Sequence, residues 1–170
     1  MRPTFALALA LVLVLDLAAR TAGATEPALS TYGNAHYDYA VDYPAALLAP
    51  QGESDSGDGQ VFQSAEGDAT MRVYAQYLMR DIPHQCDAVH LAREHPGASV
   101  TYQLRKPGLS VASGELAPGQ IFYAKGLKTR DRCLMLLIDY PAARRGRFDS
   151  LVGRIAASLR PVAGARTPTP

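Results

Sequence analysis

Residues 132–141 read RCLMLLIDYP, and their reading decides the fold. Leu134, Met135, Leu136, Leu137 and Ile138 follow one another without a polar break. A strand sends successive side chains to opposite faces. Five apolar neighbours therefore predict a central strand covered on both sides. One cover follows at once: in RRGRFDSLVGRIAASLRP, residues 144–161, Phe148, Leu151, Val152, Ile155 and Leu159 recur at spacings of three and four. That is the apolar stripe of a helix, with Arg144, Arg145, Arg154 and Arg160 off the stripe. Pro161 ends it, and the Pro/Thr/Ala-rich stretch 162–170 is expected to be a disordered tail.

Working backwards, SVTYQLRK (99–106), LSVASGEL (109–116) and QIFYAKGL (120–127) are divided by Pro107-Gly108 and Pro118-Gly119. With a turn at 128–131 they form an antiparallel meander leading into the central strand. PHQCDAVHLAREHPG (83–97) is expected to be a helix, with Asp87 as its N-terminal acid and Pro96-Gly97 as its stop. Ala88, Val89 and Ala92 would face the core. TMRVYAQYLM (70–79) and QVFQS (60–64) read as strands joined by the turn Ala65–Asp68. HYDYAVDY (36–43) alternates, with Tyr37, Tyr39, Val41 and Tyr43 on the inward parity. Residues 25–35 read as a short polar lead. The sum is an α+β sandwich: an antiparallel sheet of about six to seven strands between helices, one domain over residues 25–161.

The chain opens MRPTFALALALVLVLDLAARTAGA. Arg2, the apolar run Phe5–Leu15 and the small residues Ala22-Gly23-Ala24 have the layout of a secretory signal, residues 1–24, cleaved after Ala24. Eleven apolar residues fall short of the roughly 20 that span a bilayer. Losing Arg2, Arg20 and Asp16 with the signal would turn 17 basic and 16 acidic residues into 15 of each. A neutral chain has no general electrostatic attraction to nucleic acid or to an anionic membrane. The expected location is periplasmic or secreted, with no transmembrane segment in the mature protein.

In an oxidising compartment the two cysteines, Cys86 and Cys133, read as a disulfide; two buried free thiols or a Cys86–His90 pair on one helix face are the alternatives. A zinc site would need His84 or His95 as well, and these stand at opposite ends of the expected helix. QGESDSGDGQVFQSAEGDA (51–69) holds five acids and four glycines and resembles a calcium loop. With Gly59 at loop position six, position twelve is Ala65, which has no ligand; with Gly57 there, position one is Gly52. The stretch is expected to be turns, with Asp55, Asp58, Glu66 or Asp68 as the acids of any weaker calcium site. No phosphate-binding, HExxH, CxxC or GxSxG motif occurs. Ser110 and Ser113 lack flanking glycines, and His36, His84, His90 and His95 have no partner legible in sequence. No cofactor is implied.

Three stretches carry a resemblance: YDYAVDYPAALL, GDGQVFQSAEGDATMRVYA and LLIDYPAARRGRFDSLVGRIAASLRP. Together they resemble small exported proteobacterial proteins of unknown function, similar in architecture to the PsbP-like α/β/α sandwich of a photosystem II extrinsic protein. The resemblance covers roughly residues 32–161. It implies a sheet with helices on both faces and, since known members of the wider fold act mostly as adaptors or accessory subunits, a binding role. It carries no functional residue onto this chain. The expected function is that of a non-enzymatic exported envelope protein, binding a protein partner or cell-wall component, with Arg144, Arg145 and Arg154 as the expected contact residues. A small periplasmic hydrolase with a histidine general base is the alternative.

Overall fold

The computed structural model describes residues 26–162. The expected signal sequence, residues 1–24, and all of the expected tail beyond Val162 lie outside the described residues. In chain order the elements are β1 (Ser30–Asn34), β2 (Tyr39–Tyr43), β3 (Ala49–Glu53), β4 (Gly59–Gln63), β5 (Thr70–Tyr77), α1 (Ala88–Glu94), β6 (Ser99–Lys106), β7 (Leu109–Ala117), β8 (Gln120–Lys128), β9 (Arg132–Pro141), α2 (Arg145–Ser158) and β10 (Arg160–Pro161). A 3₁₀ turn, Ala142–Arg144, leads into α2.

Seven strands form one antiparallel sheet in the order β3-β4-β5-β9-β8-β7-β6. The apolar run is strand β9 and sits at the centre. Leu134, Leu136, Ile138 and Tyr140 project to one face, where α2 lies with Phe148, Leu151, Val152 and Ile155. Cys133 and Met135 project to the other, under Ala88, Val89 and Ala92 of α1. The fold is the expected α/β/α sandwich.

The α2 layer also contains a second sheet, ordered β1-β2-β10. Tyr39 and Val41 are fully buried and Tyr43 is half-buried, so these residues are core, as their parity predicts. The Tyr43 and Tyr32 rings pack on Phe62 at centroid distances of 4.4 and 5.7 Å. Arg132 at the start of β9 ties this layer to the main sheet through the Tyr37 carbonyl (2.5 Å) and Asp38 Oδ2 (3.1 Å).

Four expectations are corrected. Residues 30–34 are strand β1 rather than a polar lead, and residues 51–53, expected to be part of a turn, belong to edge strand β3 (Ala49–Glu53). Tyr37 precedes β2 in a turn, beside Asp38 at φ 47°. The helix expected over 83–97 is only Ala88–Glu94, because His84 takes φ 60° and Asp87 caps the first turn, accepting from the backbone N–H of Val89 and His90.

The α1 layer is short and set close to the sheet. It stands over Ser110, Ala112, Ala124 and Gly126, small residues on adjacent strands. A Cβ on Gly126 would lie 2.4 Å from the Cys86 carbonyl oxygen, far inside van der Waals contact. Over β5 and the far half of β9 this face has no helix, and an open cavity of about 490 Å³ remains, floored by Phe122, Ala124 and Leu137 and walled by Leu91 and Leu116.

Candidate functional site

The arginines expected to meet a partner occupy unlike settings. Arg144 is half-buried and binds Glu66 Oε2 (3.2 Å) and Asp68 Oδ2 (3.1 Å) in the β4–β5 turn. Arg154 reaches Glu26 Oε2 at 2.8 Å. Arg145 is exposed and has no ion pair among the described residues.

Arg145 lines a groove of about 300 Å³ between α2 and the outer strands, together with Thr101, Ser113, Tyr123, Tyr140, Asp149 and Val152. Tyr140 donates its hydroxyl hydrogen to Asp149 Oδ1 at 2.7 Å. Burial and that anionic acceptor raise its pKa. The Tyr123 pKa is raised by burial and then by Tyr102 nearby. The register aligns Tyr102 of β6 with Ser113 of β7, Tyr123 of β8 and Ile138 of β9, placing them in one row on the α2 face. Tyr102 is 53% exposed at the end of that row, on the sheet's outermost strand. Behind the groove, Lys125 reaches the Ala156 carbonyl at 2.5 Å, a cation at the C-terminal end of α2 where the helix dipole favours it. Desolvation lowers its pKa.

Sequence reasoning does not single out these tyrosines, but a signal for them exists. The Pro107-Gly108 turn sets Lys106 opposite Leu109, and counting outward brings Tyr102 opposite Ser113. Which face that row would occupy depends on where α2 packs.

The acid-rich stretch becomes two hairpin turns. Asp58 accepts hydrogen bonds from the hydroxyls of Ser54 and Ser56. Asp68 accepts from Ser64 (3.0 Å) and pairs with Arg144. Gly57 and Gly67 supply the positive φ of these turns, 65° and 76°. Asp55 is exposed. Among the described residues, no three His, Cys, Asp or Glu side chains converge as a metal-ligand set.

Cys86 and Cys133 stand at disulfide distance, Cα to Cα 5.4 Å, within the range a disulfide spans. They clamp the segment before α1 to β9. Ser110 completes the clamp: its Oγ accepts from the Ala88 N–H and donates to the Cys86 carbonyl, both at 2.8 Å. Its hydroxyl is structural, and Ser113 lies in the α2 groove. Of the histidines, His90 Nε2 meets Glu94 Oε1 at 3.1 Å, and the His84 and His90 rings are 4.5 Å apart. They line an open concavity of about 330 Å³ with Tyr74, Gln76 and Asp87, but with no serine, threonine or cysteine among its lining residues. His95 turns its Nδ1 to the Pro96 carbonyl, and His36 stacks on Tyr37.

No helix among the described residues is long and apolar enough to cross a membrane. No family model matches the sequence, and no curated protein does. Among solved structures the chain is similar to cyanobacterial PsbP (CyanoP) from Synechocystis sp. PCC 6803, with a TM-score of 0.59 and 13% identity over 82% of this chain and 95% of that one. At that identity the likeness is one of backbone architecture: the chain has a PsbP-like fold.

Proposed function

We propose that the chain is an exported, non-catalytic binding module that docks a protein partner or cell-wall component on the α2 side of its sandwich. One observation carries the reading. Arg145, without an intramolecular ion pair among the described residues, stands at a groove whose floor continues along Tyr123 to exposed Tyr102 on the open edge strand β6. Tyrosine and arginine are the side chains that most often anchor interfaces. An edge strand adds unpaired backbone groups that a partner can hydrogen-bond. Arg144 and Arg154 are taken up by ion pairs with Glu66, Asp68 and Glu26, which leaves Arg145 as the arginine of the three available to a partner. The cysteine pair at bonding distance fits an oxidising, extracytoplasmic setting.

The test is affinity capture from envelope extract with wild-type protein and with Arg145→Ala, Tyr102→Ala and Arg144→Ala. A specific partner retained by wild type and Arg144→Ala but lost from the other two supports the reading. A partner retained by all four places the binding face elsewhere. Turnover of envelope substrates that disappears in His90→Gln would favour the hydrolase alternative, through the His90–Glu94 pair.

A further inference from the structure

Three of the five large apolar side chains that stand exposed among the described residues fall within six positions: Tyr77 (50% exposed), Met79 (61%) and Ile82 (48%). Met79 and Ile82 belong to the connection from β5 to α1, whereas Tyr77 ends β5 with its ring against Tyr37, 5.2 Å between centroids. Met79 and Ile82 line one open concavity of about 560 Å³, and Arg80, Lys128 and Arg130 line it with them. None of those three cations has an ion-pair partner among the described residues. The acids nearby are accounted for. Asp87 is held by Arg105 at 3.0 Å, and Asp131 shares Arg132 with Asp38 (3.2 and 3.1 Å), leaving exposed Asp81 and part of the Asp131 charge against the three cations. The patch is therefore cationic on a chain that is close to neutral overall.

The connection is also held in one shape. The Leu78 N–H donates to the Asp131 carbonyl (2.8 Å) and the Met79 N–H to Gln85 Oε1 (2.8 Å). Gln85 Nε2 donates back to the Tyr77 carbonyl (2.6 Å), and Gln76 Nε2 donates to the Gln85 carbonyl (2.8 Å). Cys86 at its end is drawn to Cys133 of β9. A segment that keeps a methionine and an isoleucine in water, yet is tied at each of these points, is organised for contact rather than for packing. Pre-organisation lowers the ordering cost of that contact.

We infer that this end of the sheet is a docking surface for an anionic lipid bilayer. Met79 and Ile82 would enter the headgroup region, and Arg80, Lys128 and Arg130 would meet lipid phosphates. Apolar tips within a collar of Arg and Lys have the composition of a peripheral membrane anchor. The patch is separate from the Arg145 groove on the α2 side, so either assignment can fail without the other.

The chain contains no tryptophan, so Ile82→Trp in the full chain reports from the patch alone. The probes are vesicles of phosphatidylcholine and vesicles containing phosphatidylglycerol. The indole emission of this variant is expected to shift to the blue on the anionic vesicles only, and to return as salt screens the charges. Adding Arg80→Gln, Lys128→Gln and Arg130→Gln should weaken binding on the order of 100-fold, about five-fold per cation. A reporter at the distant Tyr102, made by Tyr102→Trp, should not respond. No shift on anionic vesicles overturns the inference, as does an equal shift on neutral ones. A shift caused by soluble poly-glutamate in place of vesicles would assign the patch to an acidic protein and also overturn it. All variants are at exposed or half-buried surface positions, and an unchanged thermal transition confirms that each is folded.

Discussion

At the scale of single residues, two positions hold α1 in place, and both can be tested. Asp87 caps the helix and takes Arg105 as a partner. Burial works against its charge, but Arg105 and the N–H groups of His90 and Val89 outweigh it and lower its pKa. The native state then binds fewer protons than the unfolded chain. The stabilisation is fully present above the unfolded carboxylate value, near pH ~4, and is lost as pH falls through the lowered native value. Asp87→Ala is expected to cost about 1 kcal/mol near neutrality, the usual worth of such a cap. Asp87→Asn keeps the acceptor but should flatten the acid limb of stability, read from urea midpoints across pH. Gly126 acts by absence: its missing Cβ leaves room for the Cys86 carbonyl, and that carbonyl is fixed by Ser110. Gly126→Ala should destabilise by about 1–3 kcal/mol, the range for overpacking, again read from urea midpoints. Asp87 is legible in the sequence as a helix-start acid. Gly126 is not, because nothing in QIFYAKGL says that another backbone crosses it.

At the scale of elements, legibility follows burial. The continuous apolar run is β9, and the stripe from Phe148 to Ile155 lies in α2, with Leu159 just past its end, because both elements are packed along their length. β1 and β3 escape the sequence reading for the opposite reason. β3 is APQGE and exposed throughout; its strand state comes from pairing with β4, with a register shift between Pro50 and Glu53. Proline and an irregular ladder also blunt that edge against further pairing. β1 is STYGN, and its alternation is hidden because Asn34 is the buried residue, donating to the Gly57 carbonyl at 2.9 Å. The helix expected from sequence is too long because Pro83 and the Gln85 contacts build a turn before Asp87. The Cys86–Cys133 pair links that turn to the sheet across 47 residues. Closing a loop of this length removes chain entropy worth about 4 kcal/mol from the unfolded state. Reduction, or the double change Cys86→Ser and Cys133→Ser, should lower unfolding free energy by up to that amount. Urea unfolding of oxidised and reduced protein measures it, and identical midpoints would show that the bond does not form.

At the scale of the whole molecule, the two covers of the sheet are unequal. On one face α2, of 14 residues, and the β1-β2-β10 sheet bury Leu134, Leu136 and Ile138 to 1% exposure or less. On the other, α1 has seven residues and leaves the cavity beside Leu137 open. The apolar run alone indicates that β9 is covered twice, but not that one cover is partial, since Leu136 and Leu137 read alike in sequence. The inequality makes them unlike in energy. Removing a fully packed leucine loses its transfer free energy and leaves a cavity that a rigid core cannot close, so Leu136→Ala should cost about 2–5 kcal/mol. Leu137 already borders an open cavity, so its truncation enlarges a space that water and neighbouring side chains can enter. Leu137→Ala should fall clearly below Leu136→Ala, nearer about 1–2 kcal/mol, the share of the transfer term that a half-buried side chain holds. Urea midpoints of the two variants under identical conditions measure the difference. Equal losses would mean that the α1 face closes over Leu137 in solution. A large loss at Leu136 alone would establish that the α2 side of this sandwich carries more of the stability than the α1 side.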